Sequence, residues 1–363
     1  MDFIEDLQKV PMAKNEDVEY LKQSELPLVL YGAADLGRNV KRFLEINNVK
    51  VDFVVVDKEY WQPNMKLSDY VIQPIENILA NNFKFNIVVA FYSGFAEKIA
   101  RLKENAQIQR CLFFHPLNVA FVDCYHDSDF LNRHSTALTD LYSNLTDDLS
   151  RRIMLEYIKA RKSANSTDLV KLNVPNELQC FPDFLPLADN EIFVDCGAFN
   201  GDTIKVFLNK TNGKYNKIFA FEPDTVSAQQ CRELLANQGR EDVLFEKGAW
   251  SGKAMLRFDN RGNMTSVISE KGNIQIELDS IDSVLGDEKA TFIKMDIEGA
   301  EFEALKGAQN QIIANKPKLA ICVYHKQEDL ITIPQYILSL NPDYKLYLRH
   351  YGAFCTELVL YAI

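Results

Sequence analysis

The chain lacks the devices that staple, span or coat. Seven cysteines stand at 111, 124, 180, 196, 231, 322 and 355, but no Cys-x-x-Cys pair occurs. Neither a zinc site nor a disulfide framework follows from that spacing. Several cysteines fall in apolar runs, where cysteine packs as a small hydrophobe, so a reducing, cytoplasmic setting is expected. No run reaches the roughly 18 apolar residues of a membrane span. The opening "MDFIEDLQKV" has no basic n-region followed by an apolar stretch, so no signal peptide is expected. A basic surplus is also missing. Up to residue 180 there are 21 Lys+Arg against 25 Asp+Glu, and beyond it 19 against 26. Nucleic acid is therefore not an expected partner, because phosphate binding leans on clustered Lys and Arg. His115, His126 and His134 show no metal-ligand spacing, and neither internal repeats nor low-complexity segments are present.

What is there is an ordinary globular composition, 47% hydrophobic and 25% charged, in 363 residues. That length suggests two domains. Residues 1–25 read as an N-terminal helical segment. Residues 26–116 read as a small α/β sheet with a strand–glycine–helix opening, "LVLYGAADLGRNVKRFLEINNVKVDFVVVD". Further strands fit "FNIVVAF" and "RCLFF", with helices around 75–82 and 94–105. Residues 117–180 have helical spacing, with Ile153, Leu155, Tyr157 and Ile158 close to one face, and read as a connector. From residue 181 strands alternate with helices. Strands fit 192–196, 217–222, 243–247, 291–296 and 318–324, with a meander from "MLRFDN" to "IQIEL" between the third and fourth. The final runs, 344–350 and 357–362, lie about six residues apart. A parallel crossover needs a dozen or more residues, so these strands are expected to be antiparallel neighbours or to lie in different sheets. The fold class is α/β: a smaller N-terminal Rossmann-like domain, then a Rossmann-like sheet whose antiparallel last strand is unlike the all-parallel dinucleotide sheet and resembles the class I methyltransferase fold.

The stretch "IFVDCGAFNGDTIKVF" carries the chemistry. Gly197 and Gly201 flank a turn between a strand and a helix. Glycine admits close approach of a ligand to the backbone, and the helix start near Asp202 favours an anion. The loop reads D-x-G-x-x-x-G rather than G-x-G-x-x-G, which weakens a pyrophosphate reading. The next strand ends in Glu222, 21 residues after Gly201, where an acid accepts hydrogen bonds from ribose hydroxyls. Loop and acid together imply an adenosine-type ligand with a short charged tail. S-adenosylmethionine (SAM) fits that description. The third strand tip, "KGAWSG", offers Gly248, Ala249 and Trp250 beside an adenine, although Trp250 reads better as structural. The fourth tip, "IKMDIEGAE", clusters Asp296, Glu298 and Glu301 where ligands of open α/β sheets bind. Glu301 is well explained as a dipole partner in the first helical turn.

"FVDCGAFNGDT", "FEPD", "IKMDIEGAEFEALKGA" and "YHKQEDL" resemble the FkbM family of SAM-dependent methyltransferases over about residues 180–363. The resemblance implies methyl transfer to a hydroxyl oxygen of a sugar, glycan or natural product, and a place in polysaccharide biosynthesis. It also implies that Asp195, Gly197, Ala198, Gly201 and Asp202 line the methionine end of the cofactor, that Glu222 and Pro223 hold the ribose, and that Asp296 sits beside the methyl group. Members often carry an acid after the fifth strand; His325 occupies that neighbourhood here. It titrates near neutral pH and is a candidate general base. Asp296, Glu298 and His325 have the chemistry to converge on a hard cation, but no metal is expected.

The first glycine loop, "YGAADLG", reads G-x-A-x-x-G with Gly32, Ala34 and Gly37, and Asp57 ends the next strand 20 residues after Gly37. It is a near match to the dinucleotide fingerprint without its middle glycine. Nucleotide or nucleotide-sugar binding and a docking or dimerisation role both remain open. Two other functions stay open: an NAD-dependent sugar oxidoreductase or epimerase, which lacks a Tyr-x-x-x-Lys pair after that loop, and a non-catalytic nucleotide-binding scaffold. A homodimer is compatible with all of them.

Overall fold

The computed structural model describes residues 3–11, 16–91, 96–114, 126, 128–163, 165–259, 267–268, 274–352 and 355–363. They form two units, Pro11–Tyr125 and Met1–Val10 with His126–Ile363.

The smaller unit holds β1 (Leu28–Tyr31), β2 (Phe53–Val56), β3 (Lys66–Leu67), β4 (Tyr70–Pro74), β5 (Phe85–Val89) and β6 (Ile108–Leu112). Their order is β3-β4-β2-β1-β5-β6. All neighbours are parallel except the β3–β4 pair. Every residue of β1 and β5 is buried, as expected of central parallel strands covered on both faces. The helix Asp35–Ile46 lays Val40, Phe43 and Leu44 on the cluster around Leu28, Leu30 and Val54. β3 and β4 were not expected. β3 is the edge strand with β4 beside it, and both bury only alternate residues, which gives little apolar signal.

The larger unit has β7 (Ile192–Cys196), β8 (Lys217–Phe221) and β9 (Val243–Phe245). A four-stranded sheet follows, β10 (Gly248–Ala249), β11 (Ala254–Asp259), β12 (Val267–Ile268) and β13 (Ile274–Asp279). The main sheet resumes with β14 (Phe292–Met295), β15 (Lys318–Cys322), β16 (Leu346–His350) and β17 (Leu358–Ala362). Its order is β16-β17-β15-β14-β7-β8-β9. β17 inserts antiparallel between β15 and β16, so the short connection has the expected consequence. The expected meander is the antiparallel β11–β13 pair. Gly248 and Ala249, expected at a tip of the main sheet, belong instead to the small sheet, where they pair with β13. Beneath the main sheet Phe181, Phe193, Phe207 and Phe292 pack ring on ring, Phe193 lying 4.6 Å from Phe207 and 5.1 Å from Phe292.

The connector packs with the larger unit. In the helix Asp148–Ser163 the buried residues include Ile153, Met154, Tyr157, Ile158 and Arg161. Leu155 is only half-buried because it lies off that stripe and Met154 takes its place. Lys162 donates to the carbonyls of Leu7 and Gln8, each at 3.0 Å, which ties down the helix Phe3–Lys9. The helix Glu16–Gln23 instead adds Val18 and Leu21 to the core of the smaller unit. Among the described residues no helix is long and apolar enough to cross a membrane.

His126 opens the longer stretch of this unit, His126–Ile363. It is 1% exposed, stacks on Phe130 at 4.4 Å and contacts the Gln327 carbonyl at 3.3 Å. Burial, helped by the Arg161 charge, lowers its pKa to about 3. An unfolded histidine titrates near 6.5. Between those values the unfolded chain binds the extra proton, so stability is present above pH ~6.5 and is lost as pH falls toward 3. Urea midpoints measured from pH 7 down to pH 4 are expected to fall, and less steeply in His126→Gln; an identical slope in the variant would show that His126 does not drive the loss.

Candidate active site

β7, β8, β14 and β15 run parallel, so Cys196, Phe221, Met295 and Cys322 end at one edge of the sheet. The antiparallel β17 begins at that edge, with Val359 opposite Cys322. The loops after β7, β8, β14 and β15 leave from there.

Gly197 has φ +79°, and a Cβ on it would lie 2.0 Å from the Asp296 carbonyl oxygen. The loops after β7 and β14 therefore touch main chain to main chain, and only glycine fits. The amides of Gly197 and Ala198 both donate to Phe221 O at 3.0 Å. Gly201, at φ +82°, caps the helix Asp202–Lys210. Asp202 is exposed and its amide donates to Asn200 Oδ1 at 3.1 Å. Glu222 is 8% exposed and clasps the loops: Phe199 N donates to one carboxylate oxygen and Asp224 N to the other, both at 2.8 Å. Burial raises its pKa. Pro223, half-buried, follows it.

Asp195 is elsewhere. Its side chain is wholly buried and pairs at 3.0 Å with Lys294, which lies directly across from it on β14. Lys294 also donates to Gly197 O at 2.8 Å. Burial pushes the Asp195 carboxyl up to about 6 in spite of the lysine. For Lys294 burial works against the charge, but Asp195 and Asp296 outweigh it and hold the ammonium above its ordinary value. Asp195 therefore supports the loop from below and presents no exposed atom to a ligand.

His325 sits among acids. Its Nδ1 lies 2.9 Å from Glu301 Oε1, and its Nε2 lies 3.6 Å from Asp296 Oδ1 and 3.7 Å from Glu298 Oε2. Burial alone would lower its pKa. Glu301, Asp296 and Glu298 reverse that and raise it to about 10. The expected neutral base is thus a protonated ring in this arrangement, a correction that follows from the carboxylates at both nitrogens. Burial raises Glu298 to about 7 and Asp329 likewise to about 7. Glu301 is no exposed dipole partner: it is 0% exposed and accepts from Ile297 N at 2.8 Å. Tyr324 reaches Asp296 Oδ1 at 3.5 Å and Glu357 Oε1 at 3.4 Å. Asp296, Glu301 and His325 each offer a ligand atom within 4.8 Å of the others.

The structure thus brings Glu222, the glycine loop, Asp296, Glu298 and His325 to one edge. It places Trp250 against Ile276 and Leu278 in the small sheet, a packing role. Lys294, Tyr324 and Glu357 were missed. A lysine inside the apolar strand "FIKM" was the available signal, because buried lysines are paired. Of the other polar residues near this edge, His350 is buried against Asn173 Oδ1, and Arg349 pairs with Asp147 at 2.6 Å.

The other glycine loop differs. A Cβ on Gly32 would lie 2.3 Å from the Ala90 carbonyl oxygen, and one on Gly37 would lie 2.2 Å from the Gly32 carbonyl oxygen. Asp57 accepts from the Tyr31 hydroxyl at 2.5 Å and pairs with Lys98 at 2.6 Å. Its carboxylate is therefore engaged on both oxygens by side chains of its own domain.

Residues 195–353 match the family described as the methyltransferase FkbM domain. No curated protein matches the chain. Among solved structures, methyltransferase FkbM from Methylobacillus flagellatus KT is 24% identical, covering 99% of this chain and 97% of that one at a TM-score of 0.68. That likeness extends the shared fold over both units. A Streptococcus mutans methyltransferase in complex with SAH (15% identity, 48% and 88% coverage, TM-score 0.30) and a SAM dependent methyltransferase from Aquifex aeolicus (15%, 53% and 95%, 0.29) align more loosely and add nothing to the fold assignment.

Removing one member of a buried ion pair leaves the other charge uncompensated and costs about 3–5 kcal/mol. Lys294→Met is expected to lose that much in urea unfolding, and adding Asp195→Leu to recover most of it. A single variant as stable as wild type would show that the pair does not carry the loop.

Proposed function

We propose that this protein, whose residues 195–353 match the methyltransferase FkbM domain, is a SAM-dependent methyltransferase that methylates a hydroxyl oxygen of a glycan, nucleotide-sugar or related small molecule. Glu222 carries this reading. An ionised carboxylate offers about four acceptor sites. Two are taken by Phe199 N and Asp224 N, which fixes its direction and leaves capacity for the two hydroxyls of a ribose. Gly197 and Gly201 keep bare main chain beside it, at a helix start that suits the methionine carboxylate. The residues present thus fit the cofactor.

When bound, SAM supplies a methyl group on a sulfonium, a leaving group that needs no acid. The protein's share is alignment and proton transfer. Holding an acceptor oxygen in line with that methyl can supply about 7–11 kcal/mol of the barrier. Asp296 and Glu298 border the His325 ring and are the carboxylates we assign to take the hydroxyl proton. His325 orients them through its charge. The smaller unit has a docking rather than a nucleotide-binding role in this reading, because Asp57 is already bonded to Tyr31 and Lys98.

Calorimetry with SAM tests the reading. A charged hydrogen-bonding group contributes about 1.5–3 kcal/mol, so Glu222→Ala is expected to weaken binding roughly 10- to 150-fold. Radiolabelled methyl transfer to a panel of sugar and nucleotide-sugar acceptors then reads the acceptor class. NADH binding abolished by Asp57→Ala, with none for SAM, would overturn it.

A further inference from the structure

We propose that the Phe199 ring holds the sulfonium of the cofactor by a cation–π contact, and so lets the site distinguish SAM from its neutral demethylated product. The inference rests on the SAM-dependent reading above and adds a residue to it. Phe193 and Phe207, on either side in the sequence, are 0% exposed, whereas Phe199 is 37% exposed. One exposed phenylalanine is ordinary by itself. This one also stands at φ +45°, a region that bulky side chains seldom enter. Glycine would meet that backbone demand without setting a ring before water. A ring kept there, in strained main chain, points to a ligand that covers it.

The position of Phe199 in the loop indicates which part of the ligand that is. On one side lie Gly197, Gly201 and the start of the helix Asp202–Lys210, the surroundings assigned to the methionine carboxylate. On the other, Phe199 N donates at 2.8 Å to the Glu222 carboxylate, which is assigned to the ribose. In SAM the sulfonium is the atom that joins the methionine chain to the ribose carbon. A residue set between the two anchors therefore neighbours the sulfur. The bond to Glu222 also fixes the main chain that carries the ring. A sulfonium has charge but no N–H or O–H to donate, so directional acceptors gain nothing from it beyond Coulomb attraction. The face of an aromatic ring carries the negative end of its quadrupole and attracts such a cation within about 6 Å of the centroid.

The test is calorimetry of the full chain with SAM and, separately, with S-adenosylhomocysteine, the neutral thioether. Phe199→Leu keeps apolar bulk in the loop and removes the π face. We expect its Kd for SAM to rise about 2- to 30-fold while that for the thioether changes by less than about twofold; Phe199→Tyr is expected to keep the wild-type ratio of the two. Mono-, di- and trifluorinated phenylalanine at position 199 preserve the ring's shape and drain its face of negative charge. SAM affinity is expected to fall stepwise along that series, which reads the contact whether or not Phe199→Leu folds. A merely structural ring would weaken both ligands alike. Equal weakening of SAM and thioether, or a flat fluorinated series, overturns the contact and leaves the SAM-dependent reading standing. A wild-type chain that binds neither ligand overturns that reading, and the contact with it.

Discussion

The Asp195–Lys294 pair holds the site together. The two residues face each other across adjacent parallel strands, buried at the centre of the sheet, and the lysine continues upward to the Gly197 carbonyl. A charged pair in such a place adds little net stability compared with apolar residues of the same size. What it supplies is position. The loop after β7 cannot lift without breaking a bond to a buried ammonium, and the loop after β14 is pressed against Gly197 main chain to main chain. Glu222 then fastens the loop to the next strand end. Three loops of distant sequence are set relative to one another by one cross-strand contact and one missing methyl group.

Much of this was legible beforehand. The α/β class and the antiparallel last strand followed from two features, the alternation of strands and helices and the short gap before the last strand. Gly197, Gly201, Glu222 and Asp296 reach the predicted edge because a parallel strand always delivers its C-terminal residues there. The role of Asp195 was not legible. An acid ending a strand reads alike whether it faces the cleft or a neighbour strand, and its partner is 99 residues away. Glu301 was misjudged for a related reason. Its place in a first helical turn explains an exposed acid, while its burial under His325 arises from β15, which lies later in the chain.

The two glycine loops show how little a motif alone decides. Both join an apolar strand to a helix, and both have an acid about 20 residues on. In one the strand ends in Cys196, too short to reach across, and Glu222 is left to bond loop amides. In the other it ends in Tyr31, whose hydroxyl extends to Asp57, while Lys98 comes in from a helix beyond β5. The difference was present in the sequence as "VDCG" against "VLYG". It had no meaning until the reach of each side chain was known.

The same edge also concentrates backbone strain. Phe199, Glu298 and Glu357 adopt φ of +45°, +57° and +57°, a region that bulky residues enter at about 1–3 kcal/mol each. None is asparagine, the residue for which such a turn costs least apart from glycine. Each lies in a loop at the carboxyl edge, and each is fixed by neighbours: Phe199 through its amide on Glu222, Glu298 beside the His325 ring, and Glu357 by Gln179 and Tyr324. A loop under no demand would place glycine or asparagine at such positions. Here two of the three are carboxylates turned toward His325 or Tyr324, so the strain and the negative charge are consequences of the same requirement, that acids be presented from main chain with no freedom to turn away.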